Sequence, residues 1–114
     1  MHIRWLVLIC VAAAACGGDT VTGNNSNNTP TTTTSVTMSS KLFQPAAILV
    51  SKGATVTWTN QDNFPHNVTF SNASIVSIAN FSTGSKTAVM PTIAGTYSYQ
   101  CTIHPGMNGT VTVQ

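Results

Sequence analysis

Residues 95–113 set the terms on which this chain can fold. They read Gly95-Thr-Tyr-Ser-Tyr-Gln-Cys101-Thr-Ile-His104-Pro-Gly-Met107-Asn-Gly-Thr-Val-Thr-Val113. Tyr97, Tyr99 and Cys101 alternate with Ser98 and Gln100, and the valines of Thr110-Val-Thr-Val113 alternate with threonines. A period of two puts each set on one face of a strand. Pro105 and Gly106 interrupt the pattern, so a short loop joins two strands. Each apolar face must be buried against another layer. The thiol becomes the last inward side chain of its strand, and an imidazole and a thioether follow in the loop.

Cysteine, histidine and methionine spaced Cys-x2-His-x2-Met suit a copper ion that changes oxidation state. Thiolate and thioether favour Cu(I), and imidazole serves Cu(II) as well. Such a site needs a second imidazole, and the best candidate is His66 in Phe64-Pro-His66-Asn-Val-Thr-Phe70. His66, Val68 and Phe70 share one strand face, so the ring points inward with them and its nitrogens need partners. Each residue alone has a plainer reading. Cys101 suits a core, Met107 a hydrophobic plug, His104 an exposed loop and His66 a hydrogen-bonded structural role. Zinc is the competing metal, but structural zinc prefers four strong ligands to a methionine.

The start of the chain has a different character. Met1-His-Ile-Arg4 is a short basic segment, and Trp5 to Ala15 is an apolar run too short to span a bilayer. Residues 1–15 therefore read as a signal peptide, and the protein is expected to be exported to the periplasm or the outer face of a bacterial membrane. Ala13-Ala-Ala-Cys16-Gly-Gly18 resembles a lipobox, with Ala13 where leucine is usual, which would make Cys16 a lipid anchor. Residues 16–35 are Gly, Asn, Thr, Ser and Pro with almost nothing apolar, the composition of a flexible tether. Cys10 leaves with the signal and Cys16 takes lipid. Cys101 then stands alone in an oxidising compartment, where a metal would occupy its sulfur.

The folded domain is expected over 36–114. Its charged residues are Lys41, Lys52, Lys86 and Asp62, too few to bind nucleic acid or to steer partners over distance. Strands are expected at Val36–Met38, Ala46–Val50, Thr55–Asn60, His66–Phe70, Lys86–Met90, Tyr97–Cys101 and Thr110–Val113. Gly53 turns the chain between the second and third. Leu42–Pro45 reads as irregular, and 71–85 is open between a distorted strand and a turn of helix. Short strands separated by turns imply an all-β antiparallel sandwich or barrel. At roughly eighty residues a metal joining two strand ends would also contribute to stability.

Taken together, Phe64-Pro-His66-Asn-Val68, the 95–107 stretch and Val50-Ser-Lys-Gly-Ala-Thr-Val-Thr-Trp-Thr-Asn60 resemble the cupredoxins, the plastocyanin and azurin group. The Cys-x2-His-x2-Met loop resembles that of amicyanin. The resemblance implies a Greek-key antiparallel β-sandwich with one type 1 copper and one-electron transfer as its function. It implies His66, Cys101 and His104 as trigonal ligands and Met107 as the long axial one. Asn67 would bond to the loop after the cysteine near Thr102, supporting the ligand geometry. His104, flanked by uncharged Pro105 and Gly106, would be the electron port. Where family members with this loop usually carry proline, this chain has Ile103, whose N–H is expected to donate to the thiolate and raise the reduction potential.

A monomeric carrier working between protein redox partners follows, lipid-tethered through Cys16. The alternative is copper storage, delivery or sensing with the same ligands. Catalysis is disfavoured, because multicopper enzymes need further histidine clusters and no third histidine remains in the domain.

Overall fold

The computed structural model describes residues 29–114. The signal peptide and Cys16 lie outside them, as does most of the tether. Ten strands follow in order: β1 Thr31–Thr32, β2 Ser35–Ser39, β3 Leu42–Gln44, β4 Ala47–Val50, β5 Thr55–Asn60, β6 His66–Phe70, β7 Ile78–Phe81, β8 Gly84–Val89, β9 Gly95–Gln100 and β10 Asn108–Val113. They form a sandwich of two sheets, ordered β1-β4-β10-β9-β6-β7 and β3-β2-β5-β8.

The expected Greek-key sandwich is present, with one correction to its pairing. The sheets are mixed, since β1–β4, β4–β10 and β2–β5 run parallel. The reason is connectivity. The chain leaves the second sheet after β3, runs β4 in the first and returns as β5, so successive strands of one sheet are not always hairpin neighbours. Ordered pairing also starts before residue 36. β1 lies within the stretch read as tether and pairs with β4 through Thr31 and Ile48.

Alternation becomes layering as the sequence suggests. In β5, Val56, Trp58 and Asn60 are buried while the threonines face outward. In β9 and β10, Tyr97, Tyr99, Val111 and Val113 enter the same core. Trp58 of the second sheet meets Tyr99 and Phe70 of the first edge-to-face, at centroid distances of 5.5 and 5.8 Å. Phe43 meets Tyr99 at 4.7 Å. Such aromatic pairs contribute about 0.5–1.5 kcal/mol each beyond their buried area. Tyr99 lies over Gly109, its register partner on β10, where a Cβ would stand 2.4 Å from Tyr99 Cζ. Burial pushes the Tyr99 phenol up to about 12. Its hydroxyl and the Trp58 indole N–H are buried without a hydrogen-bond partner.

Two segments differ from the sequence reading. Leu42–Gln44 is a strand, burying Phe43 between exposed Leu42 and Gln44. Within 71–85 the chain is irregular to Ser77 and then forms β7. Ile75 and Phe81 are buried there while Val76 is 82% exposed. Apolar residues pointing opposite ways erase any periodicity. The β2–β3 hairpin turns through Ser40 and Lys41 at φ 55° and 59°, the left-handed pair of a tight turn made without glycine.

Candidate metal centre

Three side chains from two strands meet at one end of the sandwich. His66 opens β6 directly after Pro65, which biases Phe64 to an extended conformation, and is fully buried at 0% exposure. Cys101 follows the last residue of β9, and His104 sits in the turn before β10. His66 Nδ1 and His104 Nδ1 are 3.1 Å apart. Cys101 Sγ is 3.8 Å from the first and 3.4 Å from the second. These ligand atoms all lie within 4.8 Å of one another. Donor atoms at such separations fit one ion with bonds of about 2.0–2.3 Å to imidazole nitrogen and thiolate sulfur. Two imidazoles with a thiolate match copper's preferences in both oxidation states.

The turn carrying Cys101, His104 and Met107 is closed by its own backbone. Cys101 N–H donates to Met107 C=O at 3.0 Å, and Met107 N–H donates to His104 C=O at 3.1 Å. Gly106 takes φ +86° to make the bend. Met107 is 1% exposed, so its thioether faces inward at the end of the hairpin. His104 is half-buried, with Thr102, Ile103, Pro105 and Gly106 exposed around it. Burial and the neighbouring His66 ring push the His104 imidazole below its ordinary value, with Lys41 adding and Asp62 opposing.

Asn67 joins the two halves of the site. Its Nδ2 donates to Thr102 Oγ1 at 2.8 Å and to Asn80 Oδ1 at 2.9 Å. Its Oδ1 accepts from Thr102 N–H at 3.1 Å and from the Thr69 hydroxyl at 2.9 Å. The ligand loop is thus bonded to the strand that supplies His66. Ile103 follows Thr102 and is 42% exposed.

Sequence reasoning passed over Asp62 and Phe64. Asp62 Oδ2 lies 2.7 Å from His66 Nε2. The same carboxylate accepts Ser40 N–H at 2.9 Å and Lys41 N–H at 3.1 Å. Burial raises the Asp62 carboxyl, but the bonds from His66, Lys41 and Ser40 prevail and hold it below the usual range. The carboxylate therefore faces Nε2 of the ring while Nδ1 faces the cysteine. Asn60 frames the loop, accepting Asp62 N–H at 2.8 Å and donating to Phe64 C=O and Phe81 C=O at 3.0 and 2.9 Å. The Phe64 ring covers both imidazoles, at 5.1 Å from His66 and 5.3 Å from His104. The available signal was Asp62 lying four residues before a candidate ligand in a chain so poor in charge.

The chain is similar to known copper proteins. A family model described as copper binding proteins, plastocyanin/azurin family, matches residues 30–114. The plastocyanin of Scenedesmus fuscus is 36% identical over 85 residues, covering 64% of this chain and 87% of that protein. Amicyanin-alpha of Methylorubrum extorquens is 34% identical over 83 residues, covering 69% and 70%. A solved structure of an oxidised amicyanin variant superposes with a TM-score of 0.63 at 32% identity, covering 70% of this chain and 80% of the other. The chain belongs to the plastocyanin/azurin family of copper-binding proteins.

Proposed function

We propose that this protein is a type 1 copper electron carrier, exported and tethered to a membrane surface through Cys16. His66 Nδ1, Cys101 Sγ and His104 Nδ1 would hold the copper, with the Met107 thioether as a weaker donor. The observation that carries the reading is the convergence of two Nδ1 atoms and one sulfur at 3.1–3.8 Å. Copper bound there supplies a reversible one-electron couple.

The residues do the rest. Cys101 gives up its thiol proton on binding, and both imidazoles present neutral nitrogens. The hydrogen bonds of Asn67 and Asp62 fix the donors in place, so little rearranges when the charge of the centre changes. That rigidity favours a carrier over a delivery protein, which must open to release its ion. Phe64 and the buried face of Met107 keep water from the site. The His104 edge, among Ile103, Pro105 and Gly106, is the surface through which a protein redox partner exchanges the electron. A bond from Ile103 N–H to the Cys101 thiolate, once the thiol is ionised, would raise the potential. Three lysines and one aspartate over 36–114 leave this surface nearly uncharged. We infer a monomer that does not bind nucleic acid.

Cu(II) added to the purified protein tests the reading. An intense blue thiolate-to-copper band is expected, absent in Cys101→Ser. Folded protein that stays colourless with Cu(II) refutes it. Fast electron self-exchange with slow copper loss separates the carrier from a delivery protein. Radiolabelled palmitate entering the wild-type chain but not Cys16→Ala tests the tether.

A further inference from the structure

Among the described residues Asp62 is the most heavily committed charged side chain, and the electron-carrier reading uses it only as a brace, leaving its charge without a role. Its two oxygens serve three donors: Ser40 N–H, Lys41 N–H and His66 Nε2. The first two belong to the left-handed turn of the β2–β3 hairpin, more than twenty positions away in sequence. One carboxylate therefore joins a strained turn of the second sheet to a ring at the end of the first. The turn also reaches the site a second way, since Lys41 Nζ lies 5.6 Å from the centroid of the Phe64 ring that covers both imidazoles.

We propose that Asp62 is a positioning residue for the copper centre. It holds His66 as the Nε2–H tautomer with Nδ1 free toward Cys101, and its negative charge keeps the reduction potential down. The inference rests on the copper reading above. A carboxylate accepting from the far nitrogen of a ligand imidazole makes the near nitrogen a stronger donor and fixes the ring's rotation. A fixed negative charge beside the centre favours the higher oxidation state, because Cu(II) carries one more positive charge than Cu(I). Asparagine cannot substitute. It offers one acceptor oxygen where three donors need two, and turns its NH2 toward at least one of them.

The test compares wild type with Asp62→Asn and Asp62→Glu. Nitrogen-15 NMR of the metal-free wild type is expected to show His66 protonated at Nε2, with its Hε2 proton shifted far downfield by the carboxylate. In Asp62→Asn that proton moves upfield, copper affinity falls about 10–100-fold, and the reduction potential rises. Asp62→Glu, which keeps the charge, restores potential and affinity part-way. Wild-type His66 protonated at Nδ1 in the metal-free protein overturns the proposal even if Asp62→Asn fails to fold. So does a folded Asp62→Asn with unchanged potential, whose lowered melting temperature would then report a turn clamp alone. Loss of the blue band in wild type would sink the copper reading while leaving the metal-free NMR result to stand by itself.

Discussion

Replacing Asn67 with alanine separates two roles that its side chain combines. Asn67 is buried and uses all of its hydrogen-bonding capacity, donating to Thr102 Oγ1 and Asn80 Oδ1 and accepting from Thr102 N–H and the Thr69 hydroxyl. A net contribution of about 1 kcal/mol per bond would sum to about 4 kcal/mol. Thr102 and Asn80 are exposed, however, and their groups recover water when Asn67 is lost. About 2 kcal/mol is the reasonable loss for the metal-free protein, equivalent to a fall in melting temperature of about 8–16 °C for a domain of this size. The copper-bound protein should lose more. Asn67 ties the loop of Cys101 and His104 to the strand of His66, so its removal loosens the donors before the ion arrives. A loss of about 10–100-fold in affinity is usual for such supports, adding about 1.4–2.8 kcal/mol. Thermal melts of both forms, with a competition titration for Cu(I), measure the two terms separately. Asn67→Asp keeps the acceptors for Thr102 N–H and Thr69 and should fall between. Equal losses in the metal-free and copper-bound forms would refute the pre-organisation argument. No loss in the metal-free form would refute the hydrogen-bond argument.

Gly109→Ala drives a Cβ to within 2.4 Å of Tyr99 Cζ, so a cost of about 1–3 kcal/mol is expected from overpacking; an unchanged melting temperature would mean that the ring moves freely. Ile103→Pro deletes an N–H and should lower the reduction potential, and voltammetry showing no shift or an upward one contradicts the proposed bond to sulfur. Electron self-exchange should change little, by about twofold at most, as ionic strength rises from about 0.01 to 1 M and the Debye length shrinks from about 30 to 3 Å. A steep salt dependence would reveal a charged docking surface that the four charged side chains of 36–114 do not supply.

Local pattern was enough for much of this protein. Alternation in Thr55–Asn60, Tyr97–Cys101 and Thr110–Val113 identified strands and their inward faces, because a half-buried strand repeats every two residues whatever its neighbours are. The Cys-x2-His-x2-Met spacing identified three donors on one hairpin, since a short loop keeps its residues together. Three things needed the folded chain. The parallel pairings depend on which sheet each crossover enters. Residues 71–85 carry no period because Val76 and Ile75 face opposite ways. The approach of His66 to a hairpin thirty-eight residues on was a guess from chemistry until the β6–β9 pairing placed it.

Asp62 marks the division most sharply. Its chemistry as an acceptor is written in the sequence, but its donors include two backbone N–H groups, which every residue except proline possesses and no sequence pattern distinguishes. Sequence determined which side chains face the core and which atoms can hold a metal. Tertiary structure decided which imidazole nitrogen faces a carboxylate, because that carboxylate is fixed by a turn of the opposite sheet.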